Sequence, residues 1–344
     1  MMGVQISEII PRREISIKDL KSKIIAIDAY NTLYQFLTTI RQPDGTPLMD
    51  KKGNITSHLS GLFYRNISLL QEGLKLVYVF DGIPSELKFR EIRKRAEAKS
   101  IAEEKYEEAK QKKDIEDMRK YSQQFVKVTG KIIEETKELL DAMGIPFVES
   151  INEGEAEAAY LARKGEVWAA ASQDYDALLY GAPKLVRNLT LARRRKTSSG
   201  VYVDVNPEII EFEKILNSLQ IDHDQLICIG ILVGTDFNPG GVRGIGQKRA
   251  LEIAQKYKYP VKIFEYIQKS EKYSMDFDWQ EVFREFKEYK TKTPKMKFKS
   301  FDAEKVKEIL LKHEFSEERI DSGLNKLKES EELKKQKGLS EFFR

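Results

Sequence analysis

Short apolar runs, each stopped by an acidic residue, punctuate the first half of the chain. KIIAID (residues 23–28) ends at Asp28, LKLVYVFD (74–81) at Asp81, and VWAAASQDYD (167–176) at Asp174 and Asp176. Continuous apolar runs of this length predict strands buried on both faces. Between the first two, Leu59, Leu62, Phe63, Ile67 and Leu70 recur at helical spacing and predict a helix over 57–71, stopped by Gly73. A strand, a helix and a second strand in that order imply parallel neighbours. Further strands are expected at GIPFV (144–148), KLVRNL and VYVDV, a helix at 155–164, and mainly helix from about residue 207 onward. The expected fold is α/β, a mostly parallel central sheet flanked by helices.

About 60 residues separate Asp81 from the next core strand, and they are dense in Lys, Arg and Glu. A charge run alone would read as a solvated helical hairpin. This one leaves from the carboxyl end of a strand, which puts it over the acids and predicts a helical arch at about 85–130. Lys88 and Arg95 lie seven residues apart at its base, on one helix face two turns apart, placed to clamp successive phosphates. The chain then divides into an N-terminal part (1–100), the arch, an internal part (130–255) and a C-terminal helical part (256–330). These make one domain (1–330), followed by a flexible tail (331–344).

In an open α/β sheet, ligands bind outside the carboxyl ends of the strands. Asp28, Asp81, Asp174 and Asp176 belong to that edge, joined by Glu153, Glu155 and Asp236. Each acid alone could be a helix cap. Seven in one crevice would repel one another strongly unless cations sat among them. Three histidines and one cysteine are too few for a typical zinc site, whereas an all-oxygen site suits magnesium or manganese. Two such metals can activate water, orient a phosphodiester and stabilise the leaving oxygen. A rival starts at IDAYNT, which resembles the D-x-D-x-T motif of haloacid-dehalogenase-type phosphatases, but Tyr30 stands where that motif needs its second Asp.

GVRGIGQKRA (241–250) is the second motif. Gly244 and Gly246 allow a tight turn before a helix whose first N–H groups face outward, a phosphate cradle to which Lys248 and Arg249 add charge. The pattern has the form of a helix-hairpin-helix, which grips a DNA backbone without reading sequence. Net charge is only +4, from 59 basic and 55 acidic residues, so base clusters locally, as in RRRK at 193–196. No run of 18 apolar residues predicts a membrane span, and MMGVQISEIIPRREIS lacks the apolar centre of a signal peptide. The lone Cys228 fits a reducing, intracellular setting. Near the end, Gln336, Leu339, Phe342 and Phe343 are spaced Q-x-x-L-x-x-F-F, as in a docking peptide.

These blocks carry a family resemblance. VFDGIPSELK, EGEAEAAYLA, SQDYDALLYG and LVGTDFNPGGVRGIG resemble, in order and nearly end to end, the flap endonucleases of archaeal type, structure-specific 5′-nucleases of DNA replication and repair. The resemblance implies a magnesium-dependent endodeoxyribonuclease that cuts 5′-flap DNA at single-strand/duplex junctions, with 5′–3′ exonuclease activity. Another 5′-nuclease, exonucleolytic or bubble-cutting, or a non-catalytic clamp-tethered junction adaptor, is the alternative. It implies that Asp28, Asp81, Glu153, Glu155, Asp174, Asp176 and Asp236 hold two Mg2+ ions, with Mn2+ able to substitute. Asp236 is assigned mainly on this ground. Lys88 and Arg95 would contact the scissile phosphate, Tyr34 would lie beside the active-site base, and Arg41 would line the duplex side. The GVRGIG turn would bind duplex with a monovalent cation, K+, and the tail would bind the sliding clamp (PCNA). A monomer in the cytoplasm is expected, nuclear only for a eukaryotic source. Two features depart from the family pattern: Met1 and Met2 precede Gly3, which makes Met2 a candidate start, and the chain stops at Arg344 without a basic extension.

Overall fold

A computed structural model describes residues 3–42, 44–112, 117, 126–191, 194–196 and 201–342. Strand β1 (Arg13–Glu14) lies at the sheet edge, and β2 (Ile24–Asp28) runs through its middle. Helices α1 (Ala29–Thr39) and α2 (Ser57–Gln71) lead to β3 (Lys75–Phe80). From its carboxyl end rises α3 (Glu86–Lys112), a 27-residue helix. Then come α4 (Gly130–Ala142), β4 (Phe147–Glu149), α5 (Gly154–Arg163), β5 (Ala169–Ala171), the single-turn α6 (Asp176–Leu179) and β6 (Lys184–Arg187).

The seven-stranded sheet has the order β1-β9-β6-β5-β2-β3-β4, where β9 is Glu208–Glu211. Strands β2 to β6 are parallel, and β9 and β1 add antiparallel pairings at one edge. The chain moves outward from β2 through β3 to β4, then returns to place β5 on the other side of β2. The reversal between β2 and β5 is the topological switch point, where a crevice opens at the carboxyl edge. Alternate residues of β2 serve opposite faces. Ala26 joins one apolar cluster, with α5, α6 and later helices, while Ile25 and Ile27 join the other, with α1, α2 and α4. Strand β5 is three alanines, and α5 buries Ala156, Ala158, Ala159 and Ala162, small side chains that let helix and sheet approach closely.

After β9 the described elements are helices: α7 (Phe212–Leu219), α8 (His223–Val233), α9 (Gln247–Tyr257), α10 (Pro260–Lys269), α11 (Trp279–Lys287), α12 (Ala303–Lys312) and α13 (Glu317–Phe342). β9 is the exception to the mainly helical chain expected from 207 onward. Its core is two isoleucines, Ile209 and Ile210, buried on opposite sides of the sheet, a run too short to declare its period. VYVDV likewise supplies no core strand. β8 (Tyr202–Asp204) pairs only with β7 (Arg194–Lys196) in a separate hairpin, with Val203 exposed. The charged insertion begins where expected, with α3, but residues from 130 onward already belong to the core, where Ile132, Leu139 and Leu140 of α4 are buried. Residues 113–116 and 118–125 lie outside the described part. Helix α13 continues through Phe342, across the segment read from sequence as a tail. Among the described residues no helix is long and apolar enough to cross a membrane.

Two glycine-to-alanine changes should move stability in opposite directions. A Cβ on Gly61 would stand 2.3 Å from the Phe36 ring, where α2 crosses α1. Ala would gain about 1 kcal/mol of helix propensity, but overpacking costs about 1–3 kcal/mol, so Gly61→Ala should destabilise. At Gly130, the first residue of α4, a Cβ meets nothing within 4 Å. Gly130→Ala should therefore stabilise by about 0.5 kcal/mol. Urea unfolding of both variants measures the two signs.

Candidate active site

The acids stand on elements that meet at the switch point. Asp28 ends β2 and caps α1, its Oδ1 accepting from the Asn31 amide at 3.0 Å while its Oδ2 accepts from Ser172 Oγ at 3.2 Å. Asn31 then bridges to the loop after β5: its Nδ2 donates to Asp174 Oδ2 at 2.7 Å, and its Oδ1 accepts from the Gln173 amide at 3.3 Å. Glu153 occupies the N-cap position of α5 without capping it. The Gly154 amide is satisfied instead by Asp81 Oδ1, from the end of β3, at 2.7 Å. Glu153 pairs with the Lys88 ammonium, which descends from the base of α3 and also lies 4.0 Å from Asp236 Oδ2. Asp176 opens α6 but takes its hydrogen bond from the Val4 amide, at 3.1 Å. Asp236, just past the end of α8, accepts from the Gly3 amide at 3.3 Å. Gly3 has φ +90°, and a Cβ there would stand 2.4 Å from Asp176 Oδ2, so a larger residue would displace the acids.

All seven predicted carboxylates thus converge. Carboxylate oxygens of Glu155, Asp174 and Asp176 lie within 4.8 Å of one another. Burial, then the charge of Asp81, raises Asp28 from 3.8 to about 7. Burial, then Asp176, raises Asp174 to about 8. Asp176 rises to about 7 through burial and Asp236, and Glu153 to about 7 through burial, with Lys88 opposing. Glu155 is pushed well up by burial and by Asp176. Burial alone would lower the Lys88 ammonium, but Glu153, Asp81 and Asp236 more than reverse that and hold it above its ordinary range. Among the described residues one cation, Lys88, faces seven acids, which leaves a crevice with a large surplus of hard oxygen donors. Glu155, Asp174 and Asp176 together could hold a metal ion, and the donor chemistry fits a divalent cation such as magnesium or manganese.

Comparison with known proteins decides the family. Residues 2–102 match the XPG N-terminal domain, and residues 144–236 match the XPG I-region. Flap endonuclease 1 of Pyrococcus furiosus is 50% identical over 100% of this chain and 100% of its own. Flap endonuclease 1 of Hyperthermus butylicus is 50% identical over 96% of this chain and 95% of its own. The chain belongs to the flap endonuclease family. Among solved structures, flap endonuclease-1 from Methanococcus jannaschii matches with a TM-score of 0.74 and 43% identity, covering 95% of this chain and 98% of that one. The catalytic core of Rad2 in complex with a DNA substrate shares the fold, with a TM-score of 0.67 at 24% identity over 92% of this chain and 96% of that one.

The other predicted residues of this flap endonuclease family member lie on α1 and the loop after it, on α3, at the start of α9 and along α13 to the C-terminus. Tyr34 lies on α1, half-buried beside Tyr30. Arg41 donates from Nε to the Leu37 carbonyl at 2.9 Å and from Nη1 to the Gly45 carbonyl at 2.6 Å, so much of its guanidinium braces the loop after α1. Arg95 follows Lys88 on α3, with its side chain outside the described part. Helices α8 and α9 form the expected hairpin. Gly234 turns the chain at φ +112°, a Cβ there would stand 2.7 Å from the Gly241 amide nitrogen, and the Val242 amide returns to the Leu232 carbonyl at 2.8 Å. Gly244, at φ +86°, and Gly246, the uncapped N-cap of α9, are exposed, as are Lys248 and Arg249. Of the docking motif, Gln336, Leu339 and Phe342 lie on α13 with side chains outside the described part, and Phe343 is outside it altogether. Sequence reasoning missed Asn31 and Ser172. Asn31 carried no local signal, because its side chain bonds Asp174, 143 residues further along the chain.

The raised carboxylates predict a pH dependence in metal-free protein. A carboxyl whose folded pKa exceeds its unfolded value binds more protons when folded, so it lowers stability progressively as pH rises between the two. For Asp174 that window runs from 3.8 to about 8. In EDTA, the stability of Asp174→Asn relative to wild type should therefore increase across it. His223 and His313, both lowered first by burial, act in the opposite sense but equally in the two proteins, so they cancel in the difference. Urea unfolding at several pH values measures this, and parallel curves would mean that Asp174 does not feel its neighbours.

Proposed function

We propose that this protein hydrolyses a DNA phosphodiester where a 5′ single-stranded flap meets duplex. The observation that carries this reading is the convergence of seven carboxylates at the switch point, directly beneath the base of α3. The family relationship supports the same reading. Asp28, Asp81, Glu153, Glu155, Asp174, Asp176 and Asp236 would hold two Mg2+ ions, with Mn2+ able to replace them. Bound there, the ions would supply Lewis-acid charge both for an attacking water and for the departing oxygen.

The chain's own groups do the rest. Lys88, held in the crevice by Glu153, is placed to transfer its N–H bonds to a phosphate oxygen arriving beneath α3. Arg95, two turns further up α3, would hold the same strand. Tyr34 presents a half-buried ring for the base beside the cut, and the loop braced by Arg41 flanks the duplex. Gly244, Gly246, Lys248 and Arg249 would take the duplex backbone, with K+ assisting at that turn. Water adds to phosphorus as the P–O3′ bond breaks, leaving a 5′ phosphate and a 3′ hydroxyl. Gln336, Leu339, Phe342 and Phe343 would dock a sliding clamp, for which the monomer needs no second copy.

Asp81→Asn should keep the fold, because an amide oxygen can still accept from Gly154, yet lower single-turnover cleavage of a 5′-flap substrate by at least about a hundredfold. DNA affinity should persist. Turnover near that of wild type would sink the metal role of Asp81, and a product gel from flap, nick and bubble substrates would separate flap cutting from the related activities. Removal of Phe342 and Phe343 should abolish capture by an archaeal sliding clamp while cleavage of free flap DNA continues. Equal capture by the shortened protein would place the clamp contact elsewhere.

A further inference from the structure

We propose that Glu8 is an electrostatic competitor for the DNA backbone at the glycine-rich turn, and so sets how firmly duplex is held. The inference rests on reading that turn as the duplex grip. A cleft of about 420 Å3 opens before the first turn of α9, lined by Gly244, Gly246, Lys248 and Arg249. One part of its wall comes from the opposite end of the sequence, where the Glu8 carboxylate lies 3.5 Å from the Lys248 ammonium. The acid is held there by its backbone, because the Glu8 amide donates to Gln247 Oε1 at 2.8 Å. Upstream, the Gly3 and Val4 amides tie the same segment to Asp236 and Asp176. Glu252, one helical turn beyond Lys248, adds a second acid to the cleft.

A phosphate entering the cleft must therefore take Lys248 from Glu8. The Lys248 and Glu8 side chains are 77% and 59% exposed, so their pairing is weak and tunes the grip without closing it. Such tuning suits a hydrolase whose product is still duplex. Substrate and product share the backbone that lies on the turn, and a grip loosened by one carboxylate shortens the residence of the product.

The test is fluorescence anisotropy with a blunt DNA duplex, carried out on the full chain. At low salt, Glu8→Gln should bind about threefold more tightly. The slope of log affinity against log salt should steepen by about one, because freed Lys248 adds a phosphate contact. Lys248→Gln should weaken binding, and Glu8→Gln added to it should have little further effect. Unchanged affinity in Glu8→Gln, with Lys248→Gln weakened, overturns the role of Glu8 and leaves the turn as the grip. The same tightening in the Lys248→Gln background overturns competition for Lys248 in favour of a long-range charge effect. Wild-type binding by both Lys248→Gln and Arg249→Gln overturns the reading of the turn and this inference with it.

Discussion

Like-charge repulsion at the carboxyl edge of the sheet is the constraint from which the rest of the molecule follows. Two carboxylates about 4 Å apart oppose each other by about 4 kcal/mol even at an effective dielectric constant near 20. Among the described residues one ammonium, Lys88, faces the seven acids and cannot balance them. The fold answers with neutral donors: the Gly154, Val4 and Gly3 amides, the Ser172 hydroxyl and the Asn31 side chain each satisfy one carboxylate oxygen. These fix the positions of the acids without cancelling their charge. The crevice is thereby ordered, and its raised carboxyls would give up their protons as divalent cations enter.

Helix capping is redistributed to the same end. In an isolated helix, Glu153 would cap α5. Here Asp81 reaches across from β3 to do so, leaving Glu153 for Lys88. One exchange ties together β3, the base of α3 and the start of α5. It also means that the lysine nearest the acids is carried by the element rising above them, so a strand passing beneath α3 meets cation and carboxylate in one place.

Much of this was legible in the sequence because it depends on local pattern. Apolar runs ending in acids give β2, β3 and the loop after β5, and the helical spacing gives α2 over 57–71, the residues it occupies. The glycine-rich turn is equally local, because Gly244 needs its positive φ whatever surrounds it. What was not legible is set by partners distant along the chain. β9 is a strand only because β6 and β1 flank it. Gly3 belongs to the crevice only because Asp176 and Asp236 arrive from positions far along the sequence. Asp81 as the cap of α5 and Arg41 as the brace of its own loop are likewise choices between partners, which spacing alone does not decide.

Asp236 was the acid least visible in the sequence, yet it joins the acidic crevice to the glycine-rich turn along one stretch of chain. It sits between the end of α8 and the glycine-rich turn, on a segment stiffened by Thr235 and Asn238. Asn238 Oδ1 accepts from the Thr235 hydroxyl at 2.7 Å, and its Nδ2 donates to the Ile231 carbonyl at 2.8 Å. Eight residue steps lead from Asp236 to Gly244. Fully extended they would span at most about 28 Å, less than the roughly 34 Å of one turn of B-form DNA, and here the chain doubles back. A duplex backbone resting on Gly244 therefore lies within one helical turn of the acidic crevice. Because Asp236 and the turn belong to one braced segment, that spacing does not depend on domain motion. If the turn holds duplex as proposed, the place of the cut relative to the duplex is set by a short stretch of backbone, which is what a nuclease that reads DNA shape instead of base sequence requires.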